Sequence, residues 1–149
     1  MRMAPKRGFT LLEILIALAI MTILAGVGYA SIRGMTERYR VDAATAQVAS
    51  DLVRVRSYAQ TKNVSASWKK ISSNSYELNL GGAKKTYLLP NGIRFVQPAD
   101  GAKVEYTAPY GEVSINGSTV AALKIVLSNG KGESTEVHVV GVTGKVIRR

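Results

Sequence analysis

The sequence predicts an α+β protein: a long N-terminal helix, half apolar and half amphipathic, laid on an antiparallel β-sheet domain. Three observations carry this. An almost unbroken apolar run extends from Phe9 to Ile32. Beyond Gly34, apolar or small residues recur at Val41, Ala44, Val48, Leu52, Val55 and Ala59, in steps of three and four that mark one helical face. After Asn63 the chain becomes short runs rich in Val, Ile, Tyr and Thr, separated by Gly, Asn, Ser and Pro, which is strand-and-turn patterning.

The apolar run covers roughly 24 residues, or about 36 Å as a helix, enough to cross a bilayer. One carboxylate interrupts it, Glu13, and burying that acid costs at least about 2.5–3.5 kcal/mol. No basic residue lies between Phe9 and Ile32, so the compensating charge must come from outside the helix or from a newly made amino group. Cleavage after Gly8 would give Phe9 a free α-ammonium one helical turn from Glu13. The acid then pairs with its own terminus or with that of a neighbouring helix, which would fix their axial register. Arg2, Lys6 and Arg7 precede the run without any acid, so the leader stays cytoplasmic and the C-terminal part is translocated. The competing reading is an ordinary secretory signal cut before Ser31, but the run exceeds the usual signal core and carries an acid within it.

Helical periodicity continues to Lys62-Asn63, where Asn can take the left-handed cap. Arg38, Asp42, Asp51, Arg54 and Lys62 are assigned to the solvated face. Gly26, Gly28 and Gly34 each cost the helix about 1 kcal/mol relative to Ala and serve as a hinge or as close-packing points. Strands are expected near Val64–Ile71, Tyr76–Leu80, Lys85–Leu89, Ile93–Val96, Val104–Thr107, Glu112–Ile115, Leu123–Leu127, Glu136–Val140 and Lys145–Arg148. Turns are expected at Ser72–Asn74, Gly81-Gly82, Asn91-Gly92, Asn116-Gly117 and Asn129-Gly130. Trp68, Tyr76, Tyr87 and Tyr106 are read as strand residues packing beside the helix.

Composition excludes several chemistries. The 149 residues contain no cysteine and one histidine, His138, so thiol catalysis and the usual zinc sites are ruled out. No GxSxG elbow occurs. Gly81-Gly82-Ala83-Lys84-Lys85-Thr86 lacks the spacing of a phosphate loop and precedes a strand. No enzymatic activity, cofactor or metal is expected. The net charge is +10; the leader supplies three cations, leaving 10 − 3 = +7 in the processed chain. Such a surplus favours anionic partners or simple subunit repulsion.

Gly8-Phe9-Thr10-Leu11-Leu12-Glu13 closely resembles the leader-peptidase site of type IV pilins and type II secretion pseudopilins. The resemblance implies cleavage between Gly8 and Phe9, N-methylation of Phe9 and assembly directed by Glu13. It also implies three parts: a cleaved leader 1–8, a transmembrane and assembly segment 9–33, and a periplasmic or extracellular domain 34–149. The implied partners are other pilin or pseudopilin subunits, the prepilin peptidase, the inner-membrane assembly platform and membrane lipid before assembly.

Downstream, Ala49-Ser50-Asp51-Leu52-Val53-Arg54-Val55-Arg56-Ser57-Tyr58-Ala59 and the tail Val142-Thr143-Gly144-Lys145-Val146 are similar to minor pseudopilins of the GspH/FimT type. One branch of that family binds DNA through a Gly-Arg-x-Arg motif. Here Gly144-Lys145-Val146-Ile147-Arg148 departs from it, with Lys at the first basic position and Ile147 at the second. Lys145, Arg148 and Arg149 are the corresponding candidate DNA contacts, with Lys69-Lys70 and Lys84-Lys85 as a possible extension.

Overall fold

The computed structural model describes residues 9–118, 122–141 and 143–148. Helix α1 runs Leu11–Lys62, followed by nine strands: β1 (Ala66–Ser72), β2 (Ser75–Leu80), β3 (Ala83–Leu88), β4 (Arg94–Gln97), β5 (Lys103–Thr107), β6 (Glu112–Ile115), β7 (Ala122–Ser128), β8 (Ser134–Val140) and β9 (Lys145–Arg148). Every strand lies where the alternation placed it. The chain divides into two compact units, Met1–Thr36 and Glu37–Arg149.

In the second unit the amphipathic part of α1 buries the predicted face. Val48, Leu52, Val55 and Ala59 are fully enclosed, and Val41 and Ala44 are nearly so. The helix stops at Lys62 because Asn63 turns left-handed, with φ 54°. The antiparallel β-sheet domain that was expected is built as two sheets. One has the order β3-β2-β1-β5-β6 and the other β4-β7-β8-β9. Separation follows from where hairpins can close. Gly81 and Gly82, with φ 63° and 99°, make the two-residue turn joining β2 to β3. Residues between β3 and β4 instead carry the chain out of the first sheet.

Both sheets contribute to one core with the helix. Ala66, Trp68, Tyr76, Leu78, Val104 and Tyr106 come from the first sheet; Phe95, Ile125, Leu127, Val137 and Val139 come from the second. Trp68 stacks on Tyr76 at 5.8 Å between ring centroids, and Tyr76 on Tyr87 at 5.5 Å, while Phe95 meets Trp68 edge-on. The aromatic residues therefore pack the interior, as the alternation required.

Two polar positions depart from expectation. Asp51, assigned to the solvated face, is buried: it accepts the Tyr76 hydroxyl at 2.6 Å and Gln47 Nε2 at 3.2 Å. Its place is geometric, since position 51 lies three residues after Val48 and four before Val55. Lys70 is buried as well. On β1 it follows Ala66 and Trp68 inward, sets Nζ over the Phe95 ring at 5.7 Å from its centroid, and delivers it to Asp100 at 3.0 Å and the Pro98 carbonyl at 2.6 Å.

Candidate assembly and processing segment

Helix α1 begins where the sequence supplies a cap. Thr10 lies outside the helix; its Oγ1 accepts from Glu13 N at 3.2 Å, and its carbonyl accepts from Glu13 N at 3.1 Å and Ile14 N at 3.3 Å. Thr10-x-x-Glu13 has capping-box spacing, with an acid in the first turn where the helix dipole favours it. The cap leaves Phe9 outside the helix, while Glu13 is fixed within the first turn. Thr10 was not among the expected site residues, although the four-residue spacing was readable in the sequence.

Past the cap, apolar side chains surround the helix. Phe9 is 80% exposed, and Leu11, Leu12, Ile14, Leu15, Ile16, Leu18, Ile20, Met21, Ile23 and Leu24 are each more than half exposed. A helix apolar on every side needs lipid or other helices around it. Glu13, exposed, shares one face with Phe9, Ala17 and Met21, at helical intervals of four. It is the one charged residue between Phe9 and Ile32. The arrangement can form a charge pair with an ammonium group from outside the helix, inside an apolar surround where such a pair is little screened. Among the described residues no helix is long and apolar enough to cross a membrane, so a membrane span rests on the sequence run to Ile32. Gly8 lies outside the described residues.

Of the candidate DNA contacts, Lys145 and Arg148 take opposite faces of one strand. On β9, Arg148 sits opposite Val137 and therefore takes the core-side face of its sheet, at an edge strand where it is exposed. Lys145 sits opposite Val140, on the other face. Three-residue spacing in a strand separates the two by alternation. Arg149 lies outside the described residues. Ile147, opposite His138, occupies the face that Lys145 shares. His138 is satisfied there by Glu136 at 3.0 Å; Lys124 and then His138 hold the Glu136 carboxyl below its ordinary range.

Nor do the lysine pairs extend a patch. Lys70 is committed to Asp100, and Lys69 faces outward, opposite Glu77 on one adjacent strand and Lys103 on the other. Lys84 and Lys85 point to opposite faces of β3, at the edge of the other sheet from β9. Among the described residues no group of His, Cys, Asp and Glu is arranged to hold a metal.

Comparison with known proteins agrees with the N-terminal geometry. Residues 3–29 match the family model described as the prokaryotic N-terminal methylation motif. No curated protein and no solved structure matches the chain. The motif is the leader type of pilins and pseudopilins and indicates a pilin-like or pseudopilin-like protein processed by prepilin peptidase; the α+β architecture, a long helix with antiparallel sheets, is consistent with a pilin-type fold.

Proposed function

We propose that this chain is a minor pilin or pseudopilin of the GspH/FimT type. Its segment 9–33 holds the precursor in the inner membrane with the leader 1–8 in the cytoplasm. The peptidase cuts between Gly8 and Phe9, Phe9 is methylated, and Glu13 directs the subunit into a pilus or pseudopilus while residues 34–149 form its periplasmic or extracellular domain. The observation that carries this reading is the methylation-motif match over residues 3–29. A lone carboxylate on an otherwise apolar helix surface, in the capped first turn, supports it. A buried acid is costly until an ammonium partner arrives, so Glu13 favours the assembled state over the membrane-held one. DNA contact through Lys145, Arg148 and Arg149 is the lesser reading, because alternation along β9 divides Lys145 from Arg148.

The test is Glu13→Val in a cell carrying the assembly machinery. The variant should reach parental levels in the membrane and be lost from filaments. Incorporation equal to the parent would remove Glu13 as the assembly determinant.

A further inference from the structure

Three asparagines are followed by glycine: Asn91, Asn116 and Asn129. In such a pair the glycine has no Cβ to shield its own peptide nitrogen, and that nitrogen can attack the asparagine Cγ to close a five-membered imide. The glycine N–H and the asparagine amide must both be free for this to happen. Because the following residue is the same in all three pairs, differences in rate come from the fold.

Asn129 is closed on both counts. It is 8% exposed, and its Oδ1 accepts from the backbone N–H of Lys131 at 2.8 Å and of Glu133 at 3.3 Å. The Gly130 N–H donates to Ser128 Oγ at 3.1 Å, and the Arg94 guanidinium lies against Gly130 where a Cβ would stand. Asn116 is exposed but engaged. Its Oδ1 accepts from the Lys103 N–H at 2.8 Å, and its own N–H donates to the Lys103 carbonyl at 2.9 Å. Ile115 and Ser118 exchange both backbone hydrogen bonds across that turn, at 2.9 and 3.0 Å.

Asn91 has none of these ties. It is exposed in the turn Pro90–Ile93, which is closed by one bond from the Ile93 N–H to the Pro90 carbonyl at 3.1 Å, with Gly92 at φ 86°. Among the described residues no hydrogen bond engages the Asn91 side chain or the Gly92 N–H. Beyond its chain neighbours, no atom lies within 4 Å of where a Gly92 Cβ would stand, so the Asn91–Gly92 peptide plane has room to rotate until its nitrogen meets Cγ. The flanks are held: Leu89 N–H donates to the Asn74 carbonyl at 2.8 Å and Phe95 N–H to the Ser73 carbonyl at 2.7 Å, with Leu89 and Ile93 buried. Only the tip is open.

We propose that Asn91 is a self-modification site, converting through a succinimide to isoaspartate and aspartate while Asn116 and Asn129 persist. Hydroxide takes the Gly92 amide proton and the nitrogen bonds to Asn91 Cγ. The Cγ–Nδ2 bond breaks, and Nδ2 leaves as ammonia after taking a proton from water. A water molecule then opens the imide. Breaking the new N–Cγ bond gives aspartate; breaking the original peptide bond leaves the main chain running through Cγ, which is isoaspartate. Either product replaces a neutral amide with a carboxylate, and isoaspartate also lengthens the main chain between the held ends of the connection joining the two sheets.

The test ages the full chain in detergent micelles at mildly acidic and mildly alkaline pH, beside the same chain unfolded in guanidinium chloride. Trypsin places the three asparagines in separate peptides, Thr86–Arg94, Val104–Lys124 and Ile125–Lys131. Mass spectrometry follows amide loss in each, and electron-transfer fragmentation identifies isoaspartate. In the folded chain Asn91 should convert at least tenfold faster than the other two, and faster in alkali; in the unfolded chain the three rates should converge. Equal rates in the folded chain, faster conversion at Asn116 or Asn129, or an Asn91 that stays intact while its unfolded counterpart converts would each overturn the proposal.

Discussion

Removing the Tyr76 hydroxyl is a sharp probe of how the globular unit is held together. Tyr76 is 1% exposed and Asp51 3%, and the 2.6 Å bond between them crosses from β2 to α1. Burial first, and then the hydrogen bond and charge of Asp51, push the phenol well above its ordinary pKa. A hydrogen bond to a charged acceptor contributes about 1.5–3 kcal/mol, and a buried carboxylate left short of a donor loses toward the upper end of that range. Gln47 retains its 3.2 Å contact and offsets part of the loss. Tyr76→Phe should therefore cost about 2–3 kcal/mol. For the unit Glu37–Arg149, that corresponds to a fall in Tm of about 8–12 °C. The assay is thermal unfolding by circular dichroism of a truncated chain beginning at Met35, in a cycle with Asp51→Ala and the double variant. The coupling should be at least about 1.5 kcal/mol, because either single change strands the other group. A Tyr76→Phe variant within about 0.5 kcal/mol of the parent, with additive singles, would refute the account of this pair.

Leu52→Asp puts an unpaired charge at a fully buried position in the core to which both sheets contribute. It should cost at least about 4 kcal/mol from lost apolar burial and charge desolvation together; denaturant titration of the truncated chain checks this, and parental stability would displace the helix face. Burial pushes the Tyr106 phenol up to about 12, with the nearby Arg56 charge pulling partly back. A phenol that keeps its proton longer in the folded chain gives stability that is complete below about pH 10 and is lost as pH rises toward 12, worth about 3 kcal/mol for this group. Melting curves at pH 8, 10 and 11 should show Tyr106→Phe less alkali-sensitive than the parent. In gel retardation of DNA at physiological salt, the truncated chain and its Lys145/Arg148/Arg149→Ala variant should behave alike, because Lys145 and Arg148 take opposite faces of β9; clear retardation by the parent alone would restore the basic tail as a contact site.

The helix, its buried stripe, its stop and all nine strands were legible because each rests on a local period. Val41 to Ala59 repeats at helical spacing, and the strands alternate between turn residues. What pairs with what is not local. The division into two sheets depends on which edges the longer connections reach, and no short-range signal near Ile93 marks the change. Charge misled at Asp51 and Lys70 for a common reason: spacing placed both inward, while their charge argued outward, and each was settled by a distant partner, Tyr76 or Asp100. The same alternation rule, applied to Lys145 and Arg148, would have separated them before any coordinates. Glu13 stood out from the sequence because an acid is costly in that run. Thr10 did not, since a threonine in an apolar stretch draws no notice until its hydroxyl is seen at the helix start.

The central claim is processing at Gly8-Phe9, and the most direct measurement is the intact mass and N-terminal sequence of the protein recovered from cells that carry a prepilin peptidase. The account predicts loss of residues 1–8 and a chain beginning at Phe9 that is heavier by one methyl group on its amino terminus. A chain beginning at Ser31, or one that retains its leader beside an active peptidase, would contradict it.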